Sequence, residues 1–157
     1  MEKYHNILLI AKKLIQHEKN PIANMANLSA LIYENIGSIN WVGFYLLSGN
    51  ELILGPFQGK TACIRLKVGS GVCGKSVQIK QTLIVPNVHK FEGHIVCDSR
   101  SNSEIVVPMI KNNVIYGVLD IDSPAFERFG EPEKFLFEQI VELFLNFSDV
   151  EVLKKIY

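Results

Sequence analysis

The 157-residue sequence has no surplus of charge of either sign and no long apolar segment. Sixteen basic residues balance sixteen acidic ones, so the overall charge gives no reason to expect binding to nucleic acid or to an acidic membrane surface. No apolar run approaches the length of about 20 residues that spans a bilayer. The first residues, Met1 to Lys13, lack a basic segment followed by a small-residue cleavage site, so we expect no signal peptide and a cytoplasmic location.

Cysteine is scarce, and its count is odd. Cys63, Cys73 and Cys97 cannot all pair within one chain, and the cytosol keeps thiols reduced. No C-x-x-C pair occurs, and His89 and His94 do not form a close ligand pair with any two of the cysteines, so the spacing is not that of a zinc site. Two interpretations remain open: the thiols are inert, or two of them form a transient catalytic disulfide.

The composition is that of an ordinary globular domain. Apolar residues make up 48% of the chain and charged residues 20%, which argues against disorder. A chain of 157 residues can bury a core of its own without disulfides or metals to hold it. We therefore expect one domain over residues 1–157.

The apolar pattern predicts two N-terminal helices, a run of strands and a long final helix. Apolar residues at helical spacing predict a helix from about Tyr4 to His17, and Pro21 opens a second one. The glycine-rich segment 68–74 lacks the spacing of a phosphate-binding loop and predicts a turn into a short helix. From Pro132 onward we expect a long helix that packs on the N-terminal helices or on the same helix of a second subunit. Aromatic and β-branched runs joined by short turns predict about six strands, at residues 39–47, 51–57, from 63, 82–86, 104–110 and 114–121.

A polar loop is expected at residues 87–103, and loops of this length in a compact domain are usually functional or mobile. Its centre is the stretch Gly93-His94-Ile95-Val96-Cys97-Asp98-Ser99. A free cysteine is more often a small buried hydrophobe than a nucleophile. The polar residues that follow Cys97 nevertheless provide the surroundings that a reactive thiol needs. The loop alone leaves both interpretations of Cys97 open.

Two pairs of side chains are candidates for a binding site because alternation places each pair on one face of a strand. Trp41 and Tyr45 share a face across Gly43, which leaves a gap above the sheet that would admit a small ligand. Periodicity alone favours the alternative, in which the two rings pack under a helix. Asp120 and Asp122 also share a face, with a third carboxylate across the hairpin, and such groups repel one another unless a cation or a shared proton relieves them. A solvated strand end is the commoner explanation of such a pair.

Six motifs between about residue 40 and residue 123 together resemble the free methionine-(R)-sulfoxide reductases, which are GAF domains. The motifs are NWVGFY (40–45), LGPFQG (54–59), GVCG (71–74), GHIVCDS (93–99), SEIVVP (103–108) and GVLDIDS (117–123). The resemblance implies an α/β, GAF-like fold with a central antiparallel sheet of about six strands and the N- and C-terminal helices packed on one side. Departures from the family pattern are small: Asn87 stands in place of an aspartate, Glu92 in place of a proline and Val96 in place of an alanine.

The resemblance also implies which residues form the site. The family's catalytic cysteine falls on Cys97, its resolving cysteine on Cys63 and its third cysteine on Cys73. The aromatic pair and the three acidic side chains of its substrate pocket fall on Trp41, Tyr45, Glu104, Asp120 and Asp122.

The activity implied is the reduction of free L-methionine-(R)-sulfoxide to methionine. The Cys97 thiolate would attack the sulfoxide sulfur, and a carboxyl group of the cluster would protonate the oxygen before it leaves as water. Cys63 would condense with the resulting Cys97 sulfenic acid to give a disulfide, which thioredoxin or a similar dithiol would reduce. The cycle needs no metal, flavin or nucleotide. The apolar terminal helices favour a homodimer.

A competing function belongs to a different class of protein. GAF domains often bind small regulatory ligands, so the same pocket would serve a ligand sensor or a redox sensor without turnover. Against pure sensing, the sequence shows no second domain that would receive a signal. The two functions differ in outcome, because a sensor leaves its ligand intact whereas the enzyme yields methionine.

Overall fold

The computed structural model describes residues 2–157, which form a six-stranded sheet preceded by two helices and followed by a long one. The helices are α1 (Glu2–Ile15), α2 (Pro21–Asn35), α3 (Gly71–Ile79), α4 (Glu131–Phe147) and α5 (Leu153–Ile156). The strands are β1 (Trp41–Ser48), β2 (Glu51–Gly59), β3 (Arg65–Lys67), β4 (Leu83–Val85), β5 (Ser103–Lys111) and β6 (Val114–Ser123). Short 3₁₀ helices lie at Val88–Lys90 and Val150–Val152. Within residues 2–157, none of the helices combines the length and the apolar character that a membrane crossing requires.

The strands pair in the order β3-β2-β1-β6-β5-β4, and every neighbouring pair is antiparallel. The predicted GAF-like α/β architecture with about six strands is therefore confirmed. The predicted element boundaries differ from the observed ones by a few residues, as is usual for helix and strand ends. The largest difference concerns the third strand, which begins at Arg65, so that Cys63 precedes it and lies outside the regular ladder.

The N-terminal helices and α4 cover one face of the sheet, as expected. Val42, Phe44 and Leu46 of β1 point into the main core, together with buried side chains of α1, α2 and α4. Helix α4 packs on β5, α1 and α2. Each large apolar side chain that is fully buried in this layer contributes about 1.5–3 kcal/mol to folding. This layer anchors the strands whose opposite face carries the candidate site.

Helix α2 begins where the sequence predicted, and its first turn shows why. The Asn20 side chain accepts hydrogen bonds from the backbone N–H groups of Ile22 (2.9 Å) and Ala23 (3.1 Å). Pro21 occupies the first helical position, where its missing N–H costs nothing. The Asn-Pro pair therefore starts the helix rather than merely ending the one before it.

The opposite face of the sheet is covered more thinly, by α3 and by the segment that follows β4. Trp41, Tyr45, Val106 and Val118 project from the strands into a second, smaller core. Helix α3 packs over β5 and β6. Because this cover is incomplete, a cleft remains between the sheet, the start of α3 and the polar loop.

Candidate active site

Seven of the eight residues that the resemblance singled out border one cleft, which is open to solvent. The seven residues are Trp41, Tyr45, Cys73, Cys97, Glu104, Asp120 and Asp122. The eighth, Cys63, is held at the cleft by a covalent bond to Cys97.

The structure is that of the oxidised protein, because Cys63 and Cys97 form a disulfide that joins positions 34 residues apart in the sequence. This is the pairing that the resemblance implied. Cys97 is exposed and Cys63 is partly buried, whereas Cys73 is a free, buried thiol. The three cysteines therefore fall into a surface pair and an interior thiol.

The three carboxyl groups come together through the pairing of β5 and β6. Glu104 lies opposite Asp122 and Val106 lies opposite Asp120, which places all three acidic side chains on the cleft side of the sheet. Glu104 and Asp120 are each only 6% exposed, and Asp122 is partly buried. A solvated strand end, the commoner explanation of such a pair, is therefore wrong here, because α3 and the polar loop cover this part of the sheet.

Burial raises the pKa of each carboxyl group in the cluster. The pKa of Asp120 rises to about 6, because burial outweighs the hydrogen bonds from Glu104 and Cys73 that oppose the shift. Burial, and then the neighbouring charge of Asp120, raise the pKa of Glu104 and of Asp122 well above the ordinary values. Among the described residues, Asp120 Oδ1 is buried without a hydrogen-bond partner. The cluster therefore holds protons at a pH where exposed carboxyl groups are ionised, and it has a vacant acceptor for a cationic ligand.

Cys73 belongs to this carboxyl cluster rather than to the disulfide. Its Sγ lies 3.9 Å from Glu104 Oε1. Burial, followed by the charges of Asp120 and Glu104, raises the pKa of the thiol well above its ordinary value, so the neutral thiol is favoured. One ligand atom each from Cys73, Glu104 and Asp120 lie within 4.8 Å of one another. A metal ion would fit between them only by displacing the protons that burial retains.

Trp41 and Tyr45 have a structural role that the sequence did not indicate. The Trp41 indole Nε1 donates a hydrogen bond to the Lys60 carbonyl (3.1 Å), and the Tyr45 hydroxyl donates one to the Cys63 carbonyl (2.8 Å). The two rings stack with their centroids 5.9 Å apart. The aromatic pair therefore fixes the segment that carries Cys63, in addition to bordering the cleft.

The gap that Gly43 was expected to leave is filled by protein. A Cβ atom at position 43 would lie 2.4 Å from Phe57 Cβ and 2.6 Å from Trp41 Cη2. The glycine is thus required because the neighbouring strand and the Trp41 ring approach closely. The two rings pack in the same core as residues of α3, which is the alternative that periodicity favoured, and the open space lies beside the aromatic pair.

The polar loop beside Cys97 is held by residues that the sequence analysis did not identify. Asn40 Nδ2 donates hydrogen bonds to Asp98 Oδ2 (3.3 Å) and Ser101 Oγ (3.2 Å). Arg100 donates to Asp98 from its backbone and its guanidinium, and this hydrogen bonding lowers the pKa of Asp98 to about 2. His94 borders the cleft, and burial lowers its pKa. The sequence signal for Asn40 is its place at the start of the motif NWVGFY, directly before Trp41.

The start of α3 forms one wall of the cleft, and this wall is lined by Ser70, Gly71 and Val72. The Ser70 side chain makes no capping hydrogen bond, so it satisfies none of the N–H groups of this turn. N–H groups at the start of a helix bind anions such as carboxylates. The cleft therefore lies between the uncapped start of a helix and a group of carboxyl side chains.

The chain is similar to known proteins in both sequence and structure. The GAF domain family matches residues 23–145. The chain is 52% identical over 128 residues to the free methionine-R-sulfoxide reductase of Escherichia coli, covering 82% of this chain and 78% of the relative. It is 43% identical to the enzyme of that name from Saccharomyces cerevisiae, covering 90% and 83%. The solved structure of free methionine-R-sulfoxide reductase from Neisseria meningitidis in complex with its substrate superposes with a TM-score of 0.89 at 34% identity, covering 97% of this chain and 90% of that one.

Proposed function

The chain belongs to the GAF domain family and, within it, to the free methionine-R-sulfoxide reductases, and from this premise we propose that it reduces free L-methionine-(R)-sulfoxide to methionine. The observation that carries the proposal is a single cleft in which the Cys63–Cys97 disulfide lies beside a buried cluster of carboxyl groups. The disulfide is the expected product of turnover, and the carboxyl groups supply both a proton and a cation site.

The two walls of the cleft suit the two charged ends of a free amino acid. The ammonium group would bind at the ionised carboxylates of the cluster, where Asp120 Oδ1 has no partner among residues 2–157. The carboxylate would accept hydrogen bonds from the first turn of α3. A methionine sulfoxide within a protein chain has neither charge, so this arrangement selects the free amino acid. Trp41 and Tyr45 would contact the methyl end.

Reduction begins when the Cys97 thiolate attacks the sulfoxide sulfur. Negative charge develops on the oxygen, and a protonated carboxyl group among Glu104, Asp120 and Asp122 donates its proton there. Their raised pKa values keep such a proton available near neutral pH. The bond between Cys97 and the substrate sulfur then breaks as the hydroxyl group passes from that sulfur to Cys97, so that Cys97 becomes a sulfenic acid and methionine is released.

Cys63 then closes the cycle. Its thiol attacks the Cys97 sulfur, a sulfur–sulfur bond forms and the oxygen leaves as water. The two thiols together supply the two electrons that reduce the sulfoxide. The hydrogen bond from Tyr45 to the Cys63 carbonyl holds the attacking residue near Cys97. We assign Cys73 to the carboxyl cluster, where its neutral thiol contacts Glu104.

The disulfide must be reduced before a second turnover, and thioredoxin or a similar dithiol would do so by exchange. We propose a cytoplasmic location, where such dithiols are kept reduced. We also propose a homodimer, because large apolar side chains of the terminal helices are exposed, among them Leu9, Ile10 and Phe135. Sedimentation of the purified protein tests this assembly, and a monomer at micromolar concentration would contradict it.

The activity is tested by incubating the protein with racemic free methionine sulfoxide and dithiothreitol and separating the epimers by chiral chromatography. We expect loss of the R epimer alone, with formation of methionine, and no loss with Cys97→Ser. The matched control is Ser99→Ala, which changes an exposed hydroxyl on the same loop. If neither epimer is consumed, a ligand-sensing GAF domain becomes the better account.

A further inference from the structure

Each cysteine of the disulfide has, as a neighbour in the sequence, a large apolar residue whose side chain faces solvent. Ile64, next to Cys63, is 69% exposed, and Val96, next to Cys97, is 61% exposed. Neither side chain borders the cleft. Consecutive Cα atoms are about 3.8 Å apart, and the Cα atoms of the bonded cysteines are 5.5 Å apart, so the Cα atoms of Ile64 and Val96 lie within about 13 Å of each other.

Single exposed apolar residues are common and need no explanation. These two differ because of where they lie. A thiolate that reduces the disulfide must approach to bonding distance of a sulfur atom. When the thiolate belongs to a protein, the surface around it comes close to the exposed residues beside the cysteines. Ile64 and Val96 are therefore available for contact with a protein that carries the thiolate, whereas a small dithiol leaves them in water.

We propose that Ile64 and Val96 form the docking surface for a dithiol protein whose reactive thiol is surrounded by apolar residues. The inference rests on the proposed function, because it concerns the reductant of the same disulfide. The occupant follows from the chemistry of the exposed bond: exchange requires a thiolate, and regeneration of both cysteines requires a second thiol on the partner.

The exchange has two balanced steps. The partner's thiolate attacks the Sγ of Cys97, the more exposed of the two cysteines, so that a mixed disulfide forms and Cys63 leaves as a thiolate. The partner's second thiol then attacks its own sulfur in the mixed disulfide and displaces the Cys97 thiolate. The partner dithiol is oxidised to a disulfide, and Cys63 and Cys97 gain two electrons and, from solvent and the partner thiols, two protons.

The test follows reduction of the oxidised protein alone, without methionine sulfoxide, by alkylating the released thiols at successive times. Thioredoxin is the protein dithiol and dithiothreitol is the small one. For Ile64→Ser/Val96→Ser, we expect the second-order rate constant with thioredoxin to fall about tenfold or more, because apolar area is lost from the contact. The rate with dithiothreitol should be unchanged. The control is Ile79→Ser at the end of α3, another exposed apolar side chain that lies outside the cleft lining, and it should change neither rate.

Two results would overturn the docking surface: unchanged reduction by thioredoxin, or an equal loss of rate with both reductants, which would show an effect on the disulfide itself. The single variants Ile64→Ala and Val96→Ala should each give part of the loss. A thioredoxin variant that keeps only its attacking cysteine should be trapped on Cys97, and a mixed disulfide on Cys63 would contradict the direction of attack. Because no sulfoxide is present, these outcomes are independent of whether the proposed reductase activity is found.

Discussion

Replacement of Asp120 by asparagine is expected to stabilise the protein while impairing its activity. Burial raises the pKa of Asp120 from an ordinary value of 3.8 to about 6. A difference of about two pKa units corresponds to a free energy on the order of 3 kcal/mol between the protonated and ionised forms. The folded state binds this proton more tightly than the unfolded state does. The unfolding free energy of the unmodified protein therefore falls as the pH rises from about 4 to about 6.

The variant Asp120→Asn has no ionisable group at position 120, so its stability does not depend on deprotonation there. Its unfolding free energy should exceed that of the unmodified protein by up to about 3 kcal/mol above pH 6, and the difference should vanish near pH 4. Loss of the Asp120 charge also removes a repulsion that raises the pKa values of Glu104 and Asp122. This second effect has the same sign.

The measurement is urea-induced unfolding of the oxidised proteins, followed by circular dichroism at intervals from about pH 4 to about pH 8. The control is Asp149→Asn, which removes an exposed carboxylate that makes no capping hydrogen bond. A variant that is less stable than the unmodified protein at neutral pH would refute the reasoning. So would a difference that does not depend on pH, because it would show that protonation of the cluster is not the cause.

Two further substitutions test the packing and the redox cycle. Gly43→Ala would place a Cβ atom 2.4 Å from Phe57 Cβ, so we expect a loss of about 1–3 kcal/mol of stability on thermal unfolding. Gly37→Ala, where a Cβ meets nothing within 4 Å, should lose far less, and equal losses would contradict the packing argument. In Cys63→Ser, the sulfenic acid formed on Cys97 has no resolving partner, so treatment with dimedone after one turnover should label Cys97 in this variant and not in the unmodified protein. Equal labelling of both proteins would show that Cys63 does not resolve the intermediate.

The architecture was predictable from local patterns because residues that share one face of a strand or helix recur at a regular spacing in the sequence. Alternation in β1 separates Phe44, which points to the helical layer, from Trp41 and Tyr45, which point to the cleft. The helical stripe after Pro132 likewise marks the long helix that packs on α1 and α2. Such signals depend on neighbours within one element, and the sequence contains them directly.

The properties of the site depended on contacts between distant segments, and these were not predictable. Asp120 lies at the end of a strand, where exposure is common, and only the cover supplied by α3 and the polar loop buries it. The space above Gly43 is filled by Phe57 from the neighbouring strand. Asn40 holds the polar loop by bonding Asp98 and Ser101, which are far from it in the sequence. In each case the residue type was visible, but its surroundings were set by tertiary packing.

The measurement that tests the proposed reaction most directly is a single turnover in the absence of any reductant. Fully reduced protein is mixed with excess free methionine-(R)-sulfoxide, methionine is quantified, and the disulfide-linked peptides are identified by mass spectrometry. The account predicts one methionine per protein chain and a new bond between Cys63 and Cys97. A bond between Cys73 and Cys97, or disulfide formation without methionine, would contradict it.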